Sequence, residues 1–310
     1  DDDAAGLSLA KFWAPRFWPT WLLLIWMRVS VLLPFRWQVA IGARLGRFLM
    51  KLSRKTRLAA MRNLELCFPE LSERERDKLL RQHFEALGIS FAEMAISWLA
   101  PAEKFNKLVR IEGREHLEAA KRKGHGIILY LAHFTCLEIG LRALQDLNTR
   151  CAGMYRPQRN AMIDTLILRG RRRSFYRLIP RDNVRALVRE LRNNSTVCYL
   201  PDQVHTGSDS VLLPFFGEPA VTNTATSRIA KLSGATVLAY FFRRLEDDSG
   251  YVVTIAPSID DFPSDDSVED TRKMVTQLED YIRLAPEQYV WTYRRFKGRP
   301  DTFPDVYRFD

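Results

Sequence analysis

Histidine is scarce in this chain, five in 310 residues, and His133 alone stands where a reacting group would belong. The run Gly126-Ile-Ile-Leu-Tyr-Leu-Ala132 reads as a buried strand, and His133-Phe-Thr-Cys-Leu-Glu138-Ile-Gly140 leads into a helix expected from Leu137 to Leu147. Ligands of open α/β sheets bind beyond the carboxyl ends of strands, the edge on which His133 falls. Glu138 lies five positions on, about 140° away around a continuous helix. The two side chains meet only if His133 sits in the loop and Glu138 reaches back from the first turn. An imidazole with a carboxylate on one ring nitrogen has a fixed tautomer and takes a proton with the other, which is the arrangement of a general base. The plain alternative is His133 as a helix cap with Glu138 solvated. No G-x-S-x-G, H-E-x-x-H or G-x-x-x-x-G-K-[ST] occurs, so a nucleophile would have to come from the substrate. Gly124-x-Gly126 is no dinucleotide fingerprint, because it precedes the strand and Leu129 stands where the third glycine belongs.

Charge points to a phosphorylated or acidic partner. Lys and Arg number 47 against 37 Asp and Glu, a net +10, a balance that suits nucleic acid, anionic lipid or an acidic ligand. Between Arg150 and Arg192 there are twelve arginines, no lysine and three acids, so this stretch alone carries nearly the whole surplus. Arginine in place of lysine favours a bidentate grip on phosphate or carboxylate. Arg169-Gly-Arg171-Arg-Arg173 is too dense to be only a solvated helix face, and Arg156 lies upstream of it. Arg181, Arg185, Arg189 and Arg192 recur at helical spacing, either as an ordinary solvated face or as a surface for a partner. With Tyr155, Phe175 and Tyr176 nearby a single-stranded nucleic acid could be stacked and neutralised. No nucleic-acid module is recognisable, however, and none is expected as a partner.

A second address lies at the start. Five of the seven tryptophans, Trp13, Trp18, Trp21, Trp26 and Trp37, fall in the first 37 residues among Leu22 to Ile25 and Val31 to Leu33. That density suits a membrane interface. Arg28 splits the apolar run and Pro19 and Pro34 punctuate it, which argues for an anchor lying in one leaflet over a clean span of roughly 20 apolar residues. Arg44, Arg47, Lys51, Arg54, Lys55, Arg57 and Arg62 then recur among leucines at three- and four-residue steps, a basic amphipathic helix. It could be an ordinary surface helix; beside an anchor, a polybasic patch makes the second signal that stable attachment needs.

The elements that position these groups follow from periodicity. Residues 1–6, Asp1 to Gly6, read as a leader outside the fold. Residues 7–62 form the anchor and basic helix, and 63–310 the main domain. A helix from Leu71 to about Ala100 opens with the capping-box residues Ser72 and Glu75 and stops before Pro101. Beyond it, strands at Ile127–Ala132, Thr196–Leu200, Thr236–Phe242 and Tyr251–Ile255 alternate with helical patterns at Leu137–Leu147, Val184–Leu191, Ser227–Leu232 and Val268–Leu284. Such alternation predicts an α/β fold with a largely parallel sheet. Cys67, Cys136, Cys151 and Cys198 carry no C-x-x-C spacing and no nearby histidine, so they read as reduced thiols in a cytosol-facing protein, with no metal site expected.

With these residues in hand the chain resembles the lipid A secondary, or late, acyltransferases, the lauroyl and myristoyl transferases of the lysophospholipid acyltransferase superfamily. The likeness runs from the apolar N-terminal segment to Arg299. It rests on H-x4-[DE] as His133 to Glu138, Tyr155-Arg-Pro157, Gly170-Arg171, Leu200-Pro-Asp-Gln203, Leu213-Pro-Phe-Phe-Gly217 with Thr222 to Thr226, and Trp291-Thr-Tyr-Arg-Arg-Phe-Lys297 with Arg299-Pro300. The resemblance implies a glycerol-3-phosphate-acyltransferase-like mixed sheet flanked by helices, with an N-terminal membrane-anchoring helix at the cytoplasmic face of a bacterial inner membrane. It implies transfer of a lauroyl- or myristoyl-class chain from acyl carrier protein, as co-substrate and without a cofactor, to the 3-hydroxyl of a chain already on a phosphorylated lipid A precursor. His133 would deprotonate that hydroxyl and Glu138 would orient the imidazole. Arg171, helped by Arg169 and Arg156, would hold a substrate phosphate, and Asp202 matches the family's acidic position in Pro-Asp, in site architecture or substrate binding. Since acyl carrier protein is acidic, Arg181, Arg185 and Arg189 would suit its docking. A thioesterase or other hydrolase using the same His/Glu pair, and a non-enzymatic basic membrane or nucleic-acid binding module, remain as rival readings.

Overall fold

The computed structural model describes residues 8–204, 207 and 209–309; the expected leader, residues 1–6, lies outside the described residues. Five helices come first: α1 (Trp18–Ser30), α2 (Phe35–Leu52), α3 (Arg54–Cys67), α4 (Glu73–Leu99) and the short α5 (Ala102–Asn106). Next come β1 (Val109–Glu112), α6 (Arg114–Arg122), β2 (Ile127–Tyr130), α7 (Leu137–Ala143), β3 (Cys151–Tyr155), α8 (Ala161–Arg171), β4 (Arg177–Pro180), α9 (Val184–Arg192) and β5 (Thr196–Tyr199). The hairpin β6 (Ser210–Phe215) and β7 (Glu218–Asn223) leads to α10 (Ala225–Ser233), β8 (Thr236–Arg244), β9 (Tyr251–Ile255) and α11 (Ser267–Leu284).

Seven strands form one sheet in the order β1-β9-β8-β2-β5-β3-β4, and β6 pairs β7 separately. Every pairing in the large sheet is parallel except β8 with β9. The fold is thus mixed α/β with a mostly parallel sheet flanked by helices. Central β2 is buried at all four residues, as a strand covered on both faces must be. Helix α4 begins with both halves of the capping box, Ser72 accepting from the Glu75 amide and Glu75 accepting from the Ser72 amide.

The basic stretch expected as one helix is two, α2 and α3, broken at Ser53, where φ −103° and ψ 68° leave the helical region. α2 lies against α4 at very short range, because a Cβ on Gly46 would overlap the Phe84 carbonyl and one on Gly88 would overlap that of Gly42. Small residues at a crossing let backbones approach in this way. One hydrophobic core runs from Met27 and Val31 through Ala59, Leu64 and the sheet to Tyr307, so the N-terminal helices share the core of the α/β body.

Candidate active site

Strands β2 and β5 are neighbours in parallel register, Tyr130 opposite Tyr199, and the Leu131 amide still donates to the Tyr199 carbonyl. Each chain then leaves the sheet at its carboxyl edge, and the third residue beyond the pair is His133 on one strand and Asp202 on the other. The two side chains therefore arrive side by side. His133 Nδ1 lies 2.7 Å from Asp202 Oδ1, and the His133 backbone amide donates to Asp202 Oδ2 at 3.0 Å. The Asp202 side chain is 1% exposed and that of His133 30%. Burial by itself would raise the Asp202 pKa, but the His133 charge and hydrogen bonds, with Arg295, hold the carboxyl below its ordinary value. An ionised Asp202 accepting from Nδ1 places the proton there and leaves Nε2 with its lone pair.

Glu138 is in the first turn of α7, as expected, but its carboxylate faces elsewhere. Oε1 accepts from Arg171 Nε at 3.0 Å and from its terminal nitrogen at 2.7 Å, and Oε2 accepts from the Trp98 indole at 2.9 Å. The expected hydrogen-bonded pair His133–Glu138 is replaced, as geometry, by two pairs: His133–Asp202 and Glu138–Arg171. The reason is topological. The register of β2 and β5 delivers Asp202 to the imidazole, while the helical turn carries Glu138 towards α4 and the end of α8. Gly170 belongs to the same arrangement, since a Cβ there would overlap the Trp98 ring that reaches Glu138. The Glu138 and Arg171 side chains are 12% and 20% exposed, so this ion pair, two guanidinium donors on one carboxylate oxygen, is largely shielded from water.

The other predicted arginines are spread out. Arg156 follows β3 and Arg169 precedes Arg171 on α8, both exposed. Arg185 and Arg189 lie on the exposed side of α9, whose Ala186, Leu187, Glu190 and Leu191 are buried, and Arg181 is exposed just before it. A shallow cleft of about 670 Å³ lined by Pro180, Asp182, Asn183, Val184 and Arg185 opens beside this stripe. All four cysteines are free thiols and buried.

Sequence reasoning touched residues 286–291 only at Trp291. This segment forms a strap against the histidine loop: Phe134 bridges Tyr289, the Val290 amide donates to the His133 carbonyl at 3.0 Å, and the Thr135 amide donates to the Gln288 carbonyl at 2.7 Å. Tyr289, buried, donates its phenol to Asp202 Oδ2 at 3.3 Å. The aromatic block that begins at Trp291 was the only mark of this region in the sequence, and no spacing there reveals which phenol meets which carboxylate.

A histidine on a buried aspartate at the carboxyl edge of a parallel sheet, with a largely shielded Arg171–Glu138 pair in the helices that follow, is an arrangement able to take up a proton. The family model described as bacterial lipid A biosynthesis acyltransferase matches residues 8–298, and the chain belongs to that family; it is an acyltransferase. Among its relatives are a lipid A biosynthesis lauroyltransferase of Escherichia coli K12, 34% identical over 94% of this chain and 96% of the relative. A palmitoleoyltransferase of the same strain is 34% identical over 94% of each chain, and a myristoyltransferase is 31% identical over 93% of this chain and 90% of the relative.

Proposed function

We propose that this protein moves a fatty acyl chain from acyl carrier protein to the 3-hydroxyl of a chain already carried by a phosphorylated lipid A precursor, with His133 as the general base. The observation that carries the reading is the 2.7 Å contact of His133 Nδ1 with buried Asp202, which leaves Nε2 as the basic nitrogen. In the reaction the acceptor hydroxyl gives its proton to Nε2 as its oxygen attacks the thioester carbonyl. The tetrahedral intermediate then collapses, the C–S bond breaks, and the proton passes from Nε2 to the departing thiolate. Asp202 holds the tautomer and balances the imidazolium charge. Glu138 acts one step away, fixing the guanidinium of Arg171 for a substrate phosphate; exposed Arg169 and Arg156 add positive field. Arg181, Arg185 and Arg189 offer an acidic carrier protein a docking face.

Residues 7–62 are read as the membrane-facing section and 63–310 as the acyltransferase unit, working at the cytoplasmic face of a bacterial inner membrane. Support comes from the uncovered apolar stripes of two helices: Trp18, Leu22, Ile25 and Val29 on α1, Leu32 just beyond it at 82% exposure, and Trp37, Ile41, Phe48 and Leu52 on α2. Arg28, Arg36, Arg44, Lys51 and Lys55 stand exposed among them, as attraction to anionic headgroups requires. Among the described residues no helix is long and apolar enough to cross a membrane. An attachment lying in the interface is consistent with both facts.

The test is direct. Purified protein, acyl carrier protein charged with a C12 or C14 chain and an already acylated, phosphorylated lipid A precursor should yield a lipid heavier by one acyl group in mass spectrometry. His133→Ala should reduce that product to background while remaining folded. Free fatty acid without lipid product would establish a hydrolase instead.

A further inference from the structure

The base and its carboxylate do not stand alone in the fold. Residues 286–291 run alongside the His133 loop and are tied down almost residue by residue. The His83 ring meets the Glu287 carbonyl through Nδ1 at 2.9 Å. Gln288 exchanges hydrogen bonds with the Arg244 backbone, 2.7 Å from its amide and 3.0 Å to its carbonyl. Asn63 Nδ2 donates to the Trp291 carbonyl at 2.6 Å, and the Trp291 indole donates to the Pro286 carbonyl, also at 2.6 Å. So rigid a mounting is more than the backbone pairing with residues 133–135 needs. It holds one functional group, the Tyr289 hydroxyl, against Asp202.

We infer that Tyr289 is a positioning residue: its phenol, donated to Asp202 Oδ2, sets how tightly that carboxylate holds the His133 imidazole. This rests on the general-base reading above. Asp202 Oδ2 receives the His133 amide and the Tyr289 phenol, while Oδ1 receives the imidazole. A carboxylate that shares its charge among several donors binds a proton, and an imidazolium, less strongly than one with fewer. Among the described residues, the groups facing this carboxylate from the surrounding elements are Tyr130 on β2, Arg295 in the C-terminal tail, His133 and Tyr289. Cys67 on α3 lies behind Tyr289. Burial and the Asp202 charge keep the Tyr289 phenol protonated, Arg295 opposing them, so it can only donate to the carboxylate. Ring contacts with Phe134 at 5.7 Å and Trp291 at 4.9 Å would survive loss of the hydroxyl.

The experiment is the pH profile of kcat/KM for Tyr289→Phe in the full chain, with Tyr293→Phe as the control. The Tyr293 hydroxyl meets only the Val204 carbonyl, at 3.4 Å, among the described residues. Without the phenol, Asp202 grips the imidazolium harder and the base must lose its proton at higher pH. The acid limb of Tyr289→Phe should move up by about half a pH unit, roughly threefold in rate on that limb. The alkaline plateau and both KM values should stay near wild type, and Tyr293→Phe should superpose on wild type. 3,5-Difluorotyrosine at position 289, a stronger donor of nearly native size, should move the limb the other way, and it serves if the phenylalanine variant fails to fold. A limb that stays in place, moves down in Tyr289→Phe or moves up with the fluorinated residue overturns the inference. A folded Tyr289→Phe that is inactive at every pH overturns it too, since the phenol would then belong to the reaction itself. If instead His133→Ala retains acyl transfer, it is the general-base reading that falls.

Discussion

Two carboxylates were candidates to partner His133, and their environments differ in kind. Asp202 is fully buried on the imidazole and the His133 amide, while Glu138 is spent on Arg171 and Trp98. Their isosteric amides should therefore fail differently. Asp202→Asn keeps the shape but offers Nδ1 an amide that can donate, which favours the wrong tautomer, and it should lower kcat by about 10³-fold or more with KM nearly unchanged. Glu138→Gln leaves the base intact but loosens Arg171, and should appear chiefly as a raised KM for the phosphorylated acceptor, with kcat within about tenfold of wild type. Steady-state kinetics with each substrate varied in turn decide the matter, and equal kcat losses in the two variants would refute this division of labour. The histidine was legible from its place after an apolar strand. Its partner was not, because H-x4-E is a local spacing whereas Asp202 reaches the ring through pairing of strands far apart in sequence. Asp202 was noticed through family likeness and Arg171 as part of the dense Arg169–Arg173 cluster, but neither the pairing of Arg171 with Glu138 nor the phenol of Tyr289 on Asp202 leaves any local pattern.

Among the elements, the long helices and central strands were readable because their apolar periods are strong: α4 with its capping box, α11, β2, β5, β8 and β9. The short strands β1, β3 and β4 were not. β1 has four residues with no buried position, β3 is Cys-Ala-Gly-Met-Tyr with no apolar/polar alternation, and edge strand β4, Arg-Leu-Ile-Pro, has one buried residue. The β6–β7 hairpin was seen only as a motif. Helix α4 also carries a consequence for acid stability. His83 is fully buried, its Nδ1 on the Glu287 carbonyl and its Nε2 without a partner among the described residues. Burial outweighs that hydrogen bond and lowers its pKa to about 4. Unfolded, it would titrate near 6.5, so between these values the unfolded chain binds the extra proton and stability falls as pH falls, by about 3 kcal/mol in all. His83→Asn removes the titration while keeping a donor near Nδ1. Its melting temperature, measured from pH 7 to 4, should start lower than wild type but decline less steeply; parallel curves would contradict the assignment.

At the scale of the whole molecule, positive charge gathers in two regions, one around the apolar stripes of α1 and α2 and one in residues 150–192 around α8 and α9, and the remainder of the chain is net negative. If the first is a lipid-facing surface, it has both an apolar and an electrostatic component. Leu22→Asp combined with Ile25→Asp should cut binding to vesicles containing anionic lipid by about tenfold or more, and salt should weaken the wild type. Acyl transfer to detergent-dispersed acceptor should be unchanged. Co-sedimentation reads the first effect and product formation the second, and undiminished vesicle binding by the double variant would place the contact surface elsewhere. The glycine-mediated crossing of α2 and α4 gives this surface a mechanical meaning. With backbones in contact at Gly42, Gly46 and Gly88, α2 and α4 are coupled closely there, and α4 carries the indole that touches Glu138. On a lipid-facing α1 and α2, the depth of the helices in a leaflet would be passed on to the neighbourhood of Glu138, so that the fold would serve as a gauge between bilayer and site.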